Sequence, residues 1–221
     1  MDAHPDAEPA AGLLRQWVEL IGRVRPGPGP EPEAYGEQLV RRWGEPQRRY
    51  HTLRHLDAVL RAVDALAGSR TGADAARLAA WFHDAVYAPD RSENEERSAR
   101  LAERVLTELG LPPGAVGECA RLVRLTVDHD PRPGDANGEL LCDADLAVLG
   151  GSPEAYAAYA AAVREEYAFV PDPDFRIGRT AVLRQLLALP RLFRTPGGIA
   201  AYQDQARANL AAEIAELERT G

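Results

Sequence analysis

Cysteine is nearly absent: Cys119 and Cys142 are the only two in 221 residues. Without a CxxC pair, neither a structural zinc knuckle nor a disulfide framework organises the chain, and both thiols read as small buried apolar residues. Also missing is any apolar run approaching the ~18 residues of a spanning helix, and no signal-peptide pattern is present, so a cytoplasmic protein without a membrane partner is expected. A basic surplus is lacking too. With 26 Lys+Arg against 34 Asp+Glu the formal net charge is -8, which disfavours large nucleic acids and anionic lipid as partners. A small anionic ligand therefore needs local arginine or a metal ion. Strand-like alternation and Val/Ile/Thr clusters are scarce as well, which argues against a sheet.

What the chain does have is apolar content, 45% of residues, recurring at helical spacing, so the fold class is all-α. The expected organisation is a flexible leader over residues 1–9 and a single all-α domain over 10–221. Helices are predicted from Ala10 to Val24, from Glu33 to Trp43 and from Tyr50 to Ala67. A capping box at Thr71 and Asp74 opens another, running to about Tyr87, and a second box at Ser92 and Glu95 opens one to Gly110. Further helices are expected from Pro112-Pro113 to near Asp128, from Leu140 to Leu149, from Ser152 to Tyr167, from Phe175 to Leu189, and from Thr195 to Leu217.

Histidine and aspartate carry the chemistry. His51 and His55 are four apart, so on a helix at ~100° per residue they share one face. A single such His reads as a core or surface residue capping a carbonyl, but a pair at this spacing is less easily explained so. His83-Asp84 follows the apolar stretch Leu78 to Phe82, which places it against the core. Asp143 and Asp145 stand in the apolar stretch Leu140 to Leu149. Two apart, they cannot share a helical face: one turns inward, and the other caps the helix or bonds a ligand histidine. An inward aspartate needs a cation or donors.

These segments resemble the HD superfamily of metal-dependent phosphohydrolases, whose signature is a His, a His-Asp pair and a distant Asp on an all-α helical bundle. Tyr50-His51-Thr52-Leu53-Arg54-His55 is also similar to the Tyr-His-x-x-x-His element of cyclic-nucleotide phosphodiesterases. There the second His is a ligand and the first is the general acid for the leaving oxygen. From Tyr50 to about Leu210 the chain looks like a bacterial HD group of predicted phosphohydrolases, through Trp81-Phe82-His83-Asp84, Asn94-Glu95, Asp143-Ala144-Asp145-Leu146 and Arg164-Glu165-Glu166-Tyr167.

The resemblance implies that His55, His83, Asp84 and Asp145 hold one divalent metal ion and that His51 is the acid. Asp145 is preferred to Asp143 because Ala144-Asp145-Leu146 matches the relatives' last ligand. Mixed imidazole and carboxylate ligands suit Mn, Fe, Co, Ni or Zn better than an all-oxygen calcium site, with Mg also open. The phosphodiesterase pattern has a further His four residues after its His-Asp, where this chain has Tyr87. That departure counts against a second tightly held ion, and His129, among Asp128, Asp130 and Pro131, reads as a solvated loop residue.

Two readings of Glu95 stand side by side, a capping residue and a catalytic group acting on the attacking water. Arg176 and Arg179 are candidate substrate contacts, since guanidinium binds phosphate well. The expected activity is hydrolysis of a small phosphate ester, a nucleotide by preference. The alternatives are a non-catalytic module holding a metal or nucleotide, and a di-iron oxygenase, which Tyr87 disfavours.

Overall fold

The nine residues Asp74–Phe82 form a helix buried on nearly every side, with Ala76, Leu78, Ala79, Ala80, Trp81 and Phe82 all in the core. A helix apolar all round must be surrounded. In the computed structural model, which describes residues 7–68 and 72–219, it is. The elements are α1 (Ala7–Val24), α2 (Glu33–Trp43), α3 (Leu53–Ala67), α4 (Asp74–Phe82), α5 (Asn94–Glu108), α6 (Pro113–Leu125), α7 (Ala136–Asp145), α8 (Pro153–Glu166), α9 (Asp172–Ala188) and α10 (Pro196–Arg219). A 3-10 turn, Leu146–Gly150, continues α7. Among the described residues the chain is all-α, with no strand.

Helix α4 packs against α1, α3, α5, α6 and α7. The rings of Trp81 and Phe82 meet Trp17 edge-on at 5.2 and 5.9 Å, pairs worth about 0.5–1.5 kcal/mol each beyond the area they bury. The indole N–H groups of Trp17 and Trp43 donate to the carbonyls of Pro32 and Trp81, at 2.8 and 3.0 Å. A second apolar cluster joins the 3-10 turn to α8, α9 and α10 through Leu149, Tyr156, Leu183, Phe193 and Leu210. No helix among the described residues is long and apolar enough to cross a membrane.

Asp143 ties the two halves together. Fully buried on α7, it accepts the backbone N–H groups of Arg194 and Thr195, each at 2.7 Å, and the Thr195 hydroxyl at 2.6 Å. That hydroxyl in turn accepts the Gly198 N–H at 2.9 Å, capping the start of α10. A Cβ at Gly198 would collide with the Asp143 carboxylate. Both cysteines are buried, as expected of apolar thiols.

Several expected boundaries move. Helix α1 begins at Ala7, inside the expected leader, and the rest of that leader lies outside the described residues, as does Thr71. Helix α3 starts at Leu53 rather than Tyr50, and α4 stops at Phe82 rather than Tyr87. Helix α7 spans Ala136–Asp145 and then tightens, instead of running from Leu140 to Leu149. The capping box at Ser92 is not formed: Glu93 precedes α5, with no side-chain cap. The loop before α5 is instead held from Asn94, whose amide accepts Ala88 N–H and donates to the carbonyls of Ala88 and Arg91.

Candidate metal centre

His55 lies in the first turn of α3, His83 just past the end of α4, and Asp145 at the last residue of α7. Their ligand atoms all lie within 4.8 Å of one another. The Nε2 atoms of the two histidines are 3.2 Å apart, and Asp145 Oδ1 is 3.2 Å from His55 Nε2 and 3.5 Å from His83 Nε2. Asp84 borders this tight group: its Oδ2 is 3.3 Å from His83 Nε2 and 4.0 Å from His55 Nε2. Three helix ends and one turn thus bring together the four residues that the resemblance names as ligands.

The tautomer at His83 follows from its surroundings. Its Nδ1 is 2.9 Å from the Ala80 carbonyl, which can only accept, so Nδ1 carries the proton and neutral His83 aims a bare Nε2 lone pair at His55, Asp84 and Asp145. Burial opposes protonation of His83, yet Asp84 and Asp145 outweigh it and raise its pKa well above the ordinary value. Asp84 and Asp145 are themselves held below the usual carboxylate range, where burial is overcome chiefly by His83. Facing lone pairs beside two carboxylates favour a cation, and the donor set of two imidazoles and two carboxylates fits a divalent transition metal. The site is buried, with His83 only 1% and His55 5% exposed, so an unbalanced negative charge there would be costly.

His51 is not on the face of α3 with His55. It precedes the helix in a loop, because Glu166 at the end of α8 takes the backbone of that loop: Glu166 Oε1 accepts the N–H groups of Arg49, Tyr50 and His51 at 2.8, 2.9 and 2.9 Å. The other carboxylate oxygen lies 2.7 Å from His51 Nδ1 and accepts the Tyr87 hydroxyl at 3.0 Å. Burial alone would raise the Glu166 carboxyl, but His51 and the loop amides bring it down to about 2. Burial would likewise lower His51, but Asp84 and Glu166 raise it overall. The His51 Nε2 is 3.8 Å from Asp84 Oδ2.

Sequence reasoning missed Glu166 as a site residue, although its segment Arg164-Glu165-Glu166-Tyr167 carries part of the resemblance. It also missed Arg48. That buried guanidinium donates to the carbonyls of His51 and Asp84, both at 2.9 Å, and lies 5.3 Å from the ring centres of Trp43 and Tyr87. It fixes the two histidine-bearing loops relative to each other. Ser98 helps from α5, accepting the Val86 N–H at 3.0 Å.

His129 is not a solvated loop residue. Its Nε2 is 2.8 Å from Asp145 Oδ2, the oxygen turned away from His55, and its backbone takes a left-handed φ of 53°. A non-glycine residue there costs on the order of 1 kcal/mol or more, which the half-buried contact to Asp145 helps to offset. Glu95 is half-buried in the first turn of α5, where its charge acts on Tyr167; it lies outside the tight ligand group and caps no helix. Arg179 is buried and held by Glu213, through Nε at 2.8 Å and Nη2 at 3.0 Å. Arg176 donates to the Leu217 carbonyl and lines a separate surface cleft with Pro173 and Arg184.

No family model matches the chain, and no curated protein or solved structure matches it either.

Proposed function

We propose that this protein is a cytoplasmic, HD-type metal-dependent phosphohydrolase acting on a small phosphate ester. The observation that carries the reading is the convergence of His55, His83 and Asp145 within 4.8 Å, with Asp84 alongside and His51 held by Glu166 at its edge. His55, His83, Asp84 and Asp145 would hold one divalent ion. Such an ion supplies Lewis acidity, polarising a phosphoryl oxygen and acidifying the attacking water.

The remaining chemistry belongs to the chain. His51 carries a proton on Nδ1 for Glu166, and its raised proton affinity favours a second on Nε2, facing Asp84 and the centre. As water oxygen bonds to phosphorus, the ester P–O bond breaks and its electron pair stays on the leaving oxygen. His51 gives that oxygen its Nε2 proton, and the proton lost by water reprotonates His51 through the products. Ester and water become alcohol and phosphate. Glu166 keeps the imidazole pointed the right way throughout, and Arg48 holds the loop carbonyls of His51 and Asp84 in register.

The test is elemental analysis of purified protein after metal loading, followed by a panel of phosphate esters. One metal per chain with hydrolysis supports the reading. A protein that resists loading overturns it, and a loaded protein inert toward every ester points to a binding module.

A further inference from the structure

His51 lines two adjoining cavities. The smaller, about 270 Å³, holds Asp145 and His129. The larger, about 440 Å³, lies between α8 and α9 and shares His51, Tyr159 and Val182 with the first. A third cavity, about 420 Å³, reaches His55 and Asp145 but not His51. The group that protonates a leaving oxygen must border the space its alcohol occupies. The phosphoryl end belongs beside Asp145, which leaves the 440 Å³ cavity for the alcohol, within the roughly 300–1,000 Å³ range of small-molecule sites.

The walls of that cavity set the chemistry of its occupant. Tyr159, Tyr167 and Phe175 contribute aromatic rings, and Val163, Val170 and Val182 aliphatic surface. Its one guanidinium, Arg179, is already matched: Glu213 takes Nε and Nη2, and Nη1 donates to the Tyr159 hydroxyl at 3.2 Å. Asp174 adds a carboxylate to the lining. A second phosphate on the alcohol would find no unmatched cation there and one unfavourable anion. Arg179 thus fixes the Tyr159 wall, lying 5.2 Å from that ring's centre, rather than receiving phosphate.

We infer that the preferred substrate is a phosphate monoester whose alcohol carries a flat, uncharged aromatic group, seated between α8 and α9. This rests on the phosphohydrolase reading. Gly178 gives a direct handle, because it lines the cavity and a Cβ there meets no atom within 4 Å, so a larger side chain grows into the empty space from a helix that tolerates it.

The experiment compares adenosine 5′-monophosphate, adenosine 3′,5′-bisphosphate and glycerol 3-phosphate with the metal-loaded full chain, and measures adenosine binding by calorimetry. The expected kcat/KM for the monophosphate exceeds that for the other two by about 100-fold, the worth of burying an aromatic ring and refusing an unmatched anion. Gly178→Leu lowers the advantage over glycerol 3-phosphate about tenfold and weakens adenosine binding by a similar factor, as expected for lost pocket volume. Ala158→Leu, in the third cavity, changes neither. Equal efficiency on all three esters, or adenosine binding indifferent to Gly178→Leu, overturns this inference while the hydrolase reading stands. An effect confined to Ala158→Leu overturns it by moving the alcohol elsewhere. Failure to hydrolyse any ester overturns both.

Discussion

His51 Nδ1 lies 2.7 Å from one oxygen of Glu166, while the other oxygen of the same carboxylate accepts three consecutive backbone N–H groups, from Arg49, Tyr50 and His51 itself. One buried side chain therefore fixes both the loop that carries the imidazole and the direction in which it points. An imidazole set in a loop, where side chains have more freedom than on a helix, acquires its rigidity from this clamp.

Glu166→Gln keeps the shape and can keep the three backbone acceptances, but it removes the charge that favours protonated His51. Turnover should fall about 10- to 100-fold, less than the full worth of a positioned acid, with metal content retained. The alkaline limb of the kcat–pH profile should move to lower pH, because His51 loses its proton more easily. An unchanged profile would show that the carboxylate serves the loop alone.

The same carboxylate gives the stability a pH signature. Its folded value is about 2 against an ordinary 4.5, so the folded state binds the proton more weakly than the unfolded state. The contribution is fully present above pH 4.5 and is lost as pH falls from there toward 2. Thermal melts of the wild type and Glu166→Gln should differ most above pH 5 and converge toward pH 2. A gap that widens on acidification would contradict the assignment.

Removal of ligands and removal of the acid should separate cleanly. His51→Ala should keep the metal and lose about 10²- to 10⁴-fold in turnover, whereas Asp84→Ala should lose metal and activity together. His129→Ala should weaken metal affinity about 10- to 100-fold, the usual cost of freeing a ligand from its hydrogen-bond partner. Metal titrations read by elemental analysis decide among these, and loss of metal in His51→Ala would make that residue a ligand.

Gly198→Ala tests the junction between the two apolar clusters. The added Cβ would strike the Asp143 carboxylate, so α10 must shift or Asp143 must give up its bonds to Thr195. About 1–3 kcal/mol of destabilisation is expected, typical of overpacking, measurable by denaturant unfolding. Wild-type stability would mean that the junction yields without cost.

Helical content and the order of the helices were legible because α-helical periodicity and Pro/Gly punctuation are local signals. His83, Asp84 and Asp145 stood out because each polar group interrupts an apolar stretch, and His55 because it stands four residues after His51. His51 was misplaced onto the helix because the i, i+4 pattern is blind to a carboxylate 115 residues away that draws the backbone into a loop. The same distance hid Glu166. His129 looked solvated in its charged surroundings, since nothing local reveals that a left-handed backbone turns it onto Asp145. The pair Asp143 and Asp145 could not be divided by periodicity alone; the structure gives one to the Thr195 cap and the other to the imidazoles.

The dependence of His51 on Glu166 also orders events along the growing chain. The imidazoles and carboxylates of the cluster have all been added by residue 145, but the side chain that orients His51 comes from the end of α8, twenty-one residues later. During synthesis the clustered imidazoles and carboxylates are therefore all present before His51 has its clamp. A nascent chain thus carries the whole His-Asp cluster before the imidazole beside it has a fixed direction, and the α8 end is the piece that completes this edge of the cluster.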